Sequence, residues 1–135
     1  LIFHFSFACL SFMKKPLIIA HRGASELAPE NTLAAFRRAI DDGAEGVEFD
    51  VRLSKDDVPV VFHDAKLDRI ARIGGRVSEF TAADLQKIDV GSWFNMENPK
   101  LSGTDFSAER ISTLGEILEF LRDFQGLIYI ELKCK

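Results

Sequence analysis

The chain reads as an α/β protein of the (β/α)8 TIM-barrel class with about four strand–helix units, and three observations predict it. Short apolar runs ending in ionisable residues alternate with stretches of helical periodicity from Pro16 onward. That order places a parallel sheet against helices through right-handed crossovers. Gly46–Leu53 alternates Val47, Phe49, Val51 and Leu53 with Glu48, Asp50 and Arg52, so one strand face is apolar and the other carries two carboxylates and a guanidinium. No GxGxxG or Walker loop supports a nucleotide-binding sheet. A doubly wound sheet is covered by helices on both faces, whereas a barrel strand meets helices on one face and the lumen on the other. The polar face of Gly46–Leu53 selects the barrel.

The elements follow in order. Leu17–Ala20 reads as a buried first strand ending in His21-Arg22-Gly23. A loop closed by Pro29 leads to Asn31 or Thr32, either of which can cap a helix with Leu33, Phe36 and Ile40 on its apolar side. Gly43 supplies the stop signal. The second strand is Gly46–Leu53; Ser54–Asp57 turns the chain into a third, Val58–Phe62, which delivers His63 and Asp64. Lys66–Val77 is basic with a Gly74-Gly75 turn, and Thr81 caps a short helix through Lys87. Asp89–Arg110 reads as a long loop, a flap or a small insertion. Thr113 and Glu116 form a capping box for a helix with the stripe Leu114, Ile117, Leu118, Leu121 and Phe124. Gly126 ends it, and Leu127–Leu132 is the fourth strand.

With 135 residues the chain is long enough for one domain with a real core, and a net charge of −4 gives no basic field for nucleic acid. The two cysteines, Cys9 and Cys134, lie far apart without CxxC spacing and form no disulfide framework. Leu1–Phe12 is an apolar leader followed, rather than preceded, by Lys14-Lys15, and it is too short to span a bilayer. The favoured reading is that the natural start is Met13 and residues 1–12 are artefactual, with 13–135 the domain proper. A cytoplasmic protein without stable membrane insertion is expected. The alternative is an exported or anchored one in which the leader is a trimmed signal.

Ionisable residues gather at the ends of successive strands: His21-Arg22, Glu48 with Asp50, His63-Asp64, and Glu131 with Lys133. Surface strands do not converge in this way, so a site is expected there. Two carboxylates at i and i+2 on one strand face point into the same space. His4 lies in the leader and is assigned nothing.

In order along the chain, His21-Arg22-Gly23, Pro29-Glu30-Asn31-Thr32, Gly43-Ala44, Glu48-x-Asp50-Val51, His63-Asp64, Ser112-Thr113-Leu114 and Glu131-Leu132-Lys133 resemble the glycerophosphodiester phosphodiesterase family over Leu17–Lys133. Each motif is weak alone; seven in order are specific. The resemblance implies a metal-dependent hydrolase on a (β/α)8 barrel, of which the chain matches the first half. It implies Glu48, Asp50 and Glu131 as ligands of a hard divalent cation, Ca²⁺ or Mg²⁺, His21 and His63 as acid and base near neutral pH, and Arg22 and Lys133 as phosphate-binding groups. Glu30 and Asp64 would support them from behind. The substrate would be a small glycerophosphodiester, cleaved to glycerol 3-phosphate and an alcohol. A lipid-cleaving phospholipase or sphingomyelinase-D-like relative, or a non-catalytic phosphate-binding module, are the alternatives.

Three positions depart from the family pattern. Ile70-Ala71 follow Arg69 where two threonines are common, so a substrate-side hydroxyl is expected to be missing. Asp57 stands at a usual turn glycine, and Ser112 replaces a common proline. A complete barrel of this class needs ~250 residues. The 135-residue chain by itself is therefore expected to leave open sheet edges and uncovered apolar faces. Taken alone it should be poorly stable, oligomeric or inactive. A sharp, concentration-independent thermal transition from a monomer would contradict this.

Overall fold

Strand β2 (Gly46–Leu53) is the axis of the molecule. The computed structural model describes residues 15–101 and 103–133, and the leader, His4, Cys9 and Cys134 lie outside them. Strand β1 (Ile19–His21) pairs parallel to the first half of β2, and β4 (Leu127–Leu132) pairs parallel along its other edge. The third strand, β3 (Pro59–Val61), is antiparallel to β2, in the register Val51 with Val61 and Leu53 with Pro59. The expectation of a wholly parallel sheet therefore fails at β3. Its physical reason is the short Ser54–Asp57 turn: a few residues can close a hairpin but cannot make a parallel crossover. Asp57 takes φ 59° in that turn, the left-handed conformation that aspartate tolerates.

β1 and β3 share one edge of β2. The amide of Arg22 donates to the Glu48 carbonyl and that of Phe62 to the Asp50 carbonyl, while Lys133 donates from the other side to Val51. The hairpin thus folds back along the edge that β1 has vacated, and it carries His63 toward the polar face of β2.

The apolar face of β2 makes the principal core. Val47, Phe49 and Val51 are buried against Phe36 and Ala39 of helix α1 (Leu33–Asp41) and Ile117 of helix α5 (Leu114–Phe120). Phe36 meets Phe49 edge-on at 5.5 Å between ring centroids. Thr32, not Asn31, caps α1 through its hydroxyl, which accepts from the Ala35 amide. At the other end Gly43 (φ 84°) donates to Ile40 and Ala44 donates to Ala39, the two bonds of a Schellman motif that a glycine at this position allows. The predicted capping box is present in α5, with Thr113 and Glu116 exchanging bonds. Leu121 caps the helix and is buried with Ile117, whereas Leu118 is exposed and belongs to no core stripe.

A second cluster packs β3 against the segments that follow it, with Val60, Phe62, Leu67, Ile70, Val77, Leu85 and Ile111 buried together. These segments hold helix α2 (Asp68–Ala71), which periodicity over four residues cannot reveal, a 3-10 turn at Val77–Glu79, and helix α3 (Ala82–Leu85), capped by Thr81. Ile70 is a core residue here, so a hydroxyl at that position would not face the carboxylates. The stretch expected as a loop, Asp89–Arg110, contains helix α4 (Ser92–Glu97) and a 3-10 turn at Pro99–Leu101. Asp89 organises it: one oxygen accepts the amides of Gly91 and Ser92 at 2.9 Å each, the other the Ser92 hydroxyl. Phe94 packs edge-on between Trp93 and Phe106.

The first strand departs from its expected burial, since Leu17 and Ile18 are exposed and β1 is only half covered. All six residues of β4 are exposed. Ile128, Ile130 and Leu132 register with Val47, Phe49 and Val51 and so continue the helix-facing apolar surface of the sheet.

Burial pushes the Asp89 carboxyl up, but the Ser92 hydroxyl and the two backbone amides outweigh this and hold it below the usual carboxylate range. A carboxyl depressed by folding stabilises fully above its unfolded value of about 3.9 and loses that contribution as pH falls through the lower folded value. Asp89→Asn turns charge-assisted bonds into neutral ones and should cost about 1 kcal/mol at pH 7. The difference from wild type should shrink progressively below pH ~3.9 in urea titrations.

Candidate active site

The strand register stacks the polar side chains in two rows. His21, Glu48 and Tyr129 lie side by side across β1, β2 and β4, and Asp50 and Glu131 form the next row toward the C-terminal strand ends. Oxygens of Glu48, Asp50 and Glu131 lie within 4.8 Å of one another. The period-two alternation of β2 brings the first two together; the parallel pairing with β4 adds the third.

Asp50 is the most enclosed of the group, with a side chain at 0% exposure. The Asn31 amide donates to its Oδ2 at 2.9 Å, and its own backbone N–H donates to the Asn31 Oδ1 at 3.3 Å. Arg22 Nε stands 3.3 Å from Oδ2 and Lys133 Nζ 3.0 Å from Oδ1. Burial raises the Asp50 carboxyl, but the bonds from Asn31 and Lys133 and the nearby positive charge prevail and hold it below its ordinary range. Among the described residues, Oδ1 is nevertheless buried without a hydrogen bond of good geometry. A buried carboxylate with an unfilled lone pair, beside two other carboxylates, fits a hard divalent cation.

The flanking cations are themselves held. Lys133 also reaches Glu131 Oε1 at 2.6 Å; bonding to Glu131 and Asp50 outweighs burial and raises its ammonium above the ordinary lysine value. Arg22 adopts φ 59°, an uncommon left-handed conformation for a long side chain. Its amide is pinned by both the backbone carbonyl and Oε2 of Glu48, and its guanidinium donates to Glu30 at 3.1 Å. Gly23 follows at φ 77°, where a Cβ would lie 2.7 Å from Ala35, so the tight turn against α1 requires glycine.

The two histidines are held differently. His21 is largely exposed, with Nε2 3.8 Å from Glu48 Oε2. His63 Nδ1 lies 2.6 Å from Asp64 Oδ1, and the His63 carbonyl accepts from Arg52 Nε at 2.7 Å. An ionised Asp64 only accepts, so the Nδ1 atom carries the proton and the Nε2 atom is left for chemistry. Burial raises the Asp64 carboxyl, but Arg69 and His63 more than compensate and hold it below its usual value.

A model of the glycerophosphoryl diester phosphodiesterase family matches residues 21–135. The chain belongs to that family. It is 45% identical over 119 residues to a glycerophosphodiester phosphodiesterase of Caldanaerobacter subterraneus, covering 88% of this chain and 46% of that protein. Among solved structures, an Oleispira antarctica phosphodiesterase in complex with the product sn-glycerol-3-phosphate superposes with TM-score 0.77 at 40% identity, over 87% of this chain and 44% of that one. A glycerophosphodiester phosphodiesterase from Agrobacterium tumefaciens gives TM-score 0.78 at 38% identity, over 89% and 48%. The chain spans about half the length of the relatives it matches. The barrel class read from the sequence is thus the fold of the family, seen here in part.

Within this phosphodiesterase fold, all nine residues singled out in the sequence fall on one side of the sheet or in the loops beside it. Three partners escaped sequence reasoning. Asn31 was read as a helix cap or motif member, yet it is buried, takes φ 60°, and holds Asp50. Asparagine is among the few residues that adopt this conformation readily, so its place just before the Thr32 cap was the available signal. Arg52 shares the polar strand face with the acids and Arg69 follows the His63-Asp64 motif, but nothing in the sequence signals that Arg52 binds the His63 carbonyl or that Arg69 joins Glu30 to Asp64. A cleft of about 650 Å³ between the ends of α1 and α5, lined by Ile40, Phe120 and Gly126, contains none of these side chains.

Loss of the Asn31 side chain strands a buried carboxylate, and a bond to a charged group contributes about 1.5–3 kcal/mol. Asn31→Gly tolerates the positive φ without strain and should lower stability by about 2 kcal/mol in urea titrations. Asn31→Ala adds backbone strain and should lose about 1 kcal/mol more.

Proposed function

We propose that the protein is a divalent-cation-dependent hydrolase of small glycerophosphodiesters, releasing glycerol 3-phosphate and an alcohol such as choline or ethanolamine. The observation that carries this reading is the fully buried Asp50, whose Oδ1 meets only the Lys133 ammonium among the described residues, with the Glu48 and Glu131 carboxylates beside it and cationic and imidazole side chains around them. The product complex of the Oleispira antarctica relative supports the choice of substrate.

Glu48, Asp50 and Glu131 would hold the cation, Ca²⁺ or Mg²⁺. When bound, it supplies Lewis-acid polarisation of a non-bridging phosphate oxygen. Arg22 and Lys133 converge on Asp50, and their charge favours an anionic diester at the same place. One imidazole accepts the proton of the attacking oxygen, either water or a hydroxyl of the glycerol moiety; in the second case the first product is a cyclic phosphate, which water then opens to glycerol 3-phosphate with the imidazoles exchanging roles. The new P–O bond forms as the bond to the alcohol breaks, and the other imidazole donates its proton to the departing alkoxide. The Asp64 contact to Nδ1 directs His63 to exchange protons through Nε2. Glu30 and Asp64 act through Arg22 and His63.

The test is release of glycerol 3-phosphate from glycerophosphocholine by the intact gene product. EDTA should abolish it, and Ca²⁺ or Mg²⁺ should restore it. His21→Ala and His63→Ala should each lower kcat by about 10²–10⁴-fold. A folded protein that yields no product with any divalent cation would refute this reading.

A further inference from the structure

Arg69 belongs to neither the carboxylate cluster nor its cationic partners, yet it joins the two sides of the site. It lies in α2. Its Nη1 and Nη2 donate to the two oxygens of Glu30 at 3.0 and 2.7 Å, and its Nε donates to Asp64 Oδ2 at 2.5 Å. Glu30 comes from the loop between β1 and α1, Asp64 from the loop after β3. The two acids are only 13% and 23% exposed; Arg69 is 44% exposed, but three of its nitrogens are engaged at once, which fixes its geometry. The remaining valence of each acid points inward: Glu30 Oε1 also accepts from Arg22, and Asp64 Oδ1 engages His63 Nδ1. The result is an unbroken chain, Arg22–Glu30–Arg69–Asp64–His63.

We propose that Arg69 is a positioning residue that sets Arg22 and His63 in register with each other by clamping Glu30 and Asp64 together. This rests on the reading of His63 as an acid–base group and Arg22 as a phosphate-binding group. A planar fork can satisfy two carboxylates in fixed geometry, which a lysine cannot. With Asp64 held by Arg69, its other oxygen is fixed against His63 Nδ1, and the imidazole keeps one tautomer and one orientation. With Glu30 held, the guanidinium of Arg22 is fixed over the buried carboxylate. Without Arg69, each acid can turn to solvent, and the two loops lose the link that relates base to phosphate.

The two branches predict separable kinetics in the intact gene product. Arg69→Met should lower kcat about ten- to a hundredfold and raise KM severalfold. Placed on Asp64→Asn, it should change kcat by less than about twofold but still raise KM. Placed on Glu30→Gln, it should still lower kcat and leave KM within about twofold. Arg69→Lys keeps the charge and serves as the variant if Arg69→Met does not fold; it should give the same pattern at smaller size. Nitrogen-detected NMR of the imidazoles supplies a readout independent of turnover. Neutral His63 should be Nδ1-protonated in wild type and a mixture of tautomers in the Arg69 variants. Wild-type kinetics in Arg69→Lys, losses that simply add in both double variants, or an unaltered His63 tautomer would each overturn the proposal. If the wild-type protein turns over no glycerophosphodiester, the functional reading fails, and the tautomer measurement alone decides for Arg69.

Discussion

A carboxylate at the centre of a protein must be matched, and Asp50 makes that demand here. Removing such a group from water costs several kcal/mol unless partners replace the solvent. Asn31 takes one oxygen and the backbone amide, Arg22 and Lys133 supply charge, and one lone pair stays open. Much of the surrounding structure follows from this. The turn at Arg22–Gly23, the left-handed Asn31, and the end of β4 at Lys133 each bring one partner to the same atom pair. The fold tolerates Arg22 and Asn31 at positive φ because their contacts to Glu48 and Asp50 over-determine them.

The sheet divides labour between its faces. On one, Val47, Phe49 and Val51 anchor α1 and α5 in a close-packed layer. On the other, the same strand presents Glu48 and Asp50 at a spacing that only a rigid pleat maintains. Rigidity behind and charge in front come from one eight-residue segment. The antiparallel β3 adds a feature that a simple βαβ unit lacks: a hairpin return that delivers His63 from the same edge as His21. The link through Arg69 then ties that return to the loop after β1. On the proposed function, the precision of the site comes from these outer contacts as much as from the groups nearest the phosphate.

Short elements with no room for periodicity were the least legible. Helix α4 is held by Asp89 and by the aromatic trio Trp93, Phe94 and Phe106, contacts that span the whole segment from 89 to 106. Leu118 fits the helical period yet faces solvent, since a stripe wider than the neighbouring surface cannot all be covered. Ile70, at the first of the two positions where the family commonly has threonine, fills the core beneath β3.

By itself the sequence determined the elements whose cause is local. The alternation of β2, the caps at Thr81 and Thr113, and the Gly43 stop all depend on residues within a few positions of one another. It also marked the acids, histidines and cations, because ionisable groups at strand ends are conspicuous against apolar runs. Tertiary structure alone decided which of them meet. The grip of Asn31 on Asp50 and the bridge from Glu30 through Arg69 to Asp64 join residues 5 to 39 positions apart. Such contacts are selected by the burial of charge in three dimensions, and no local pattern encodes that.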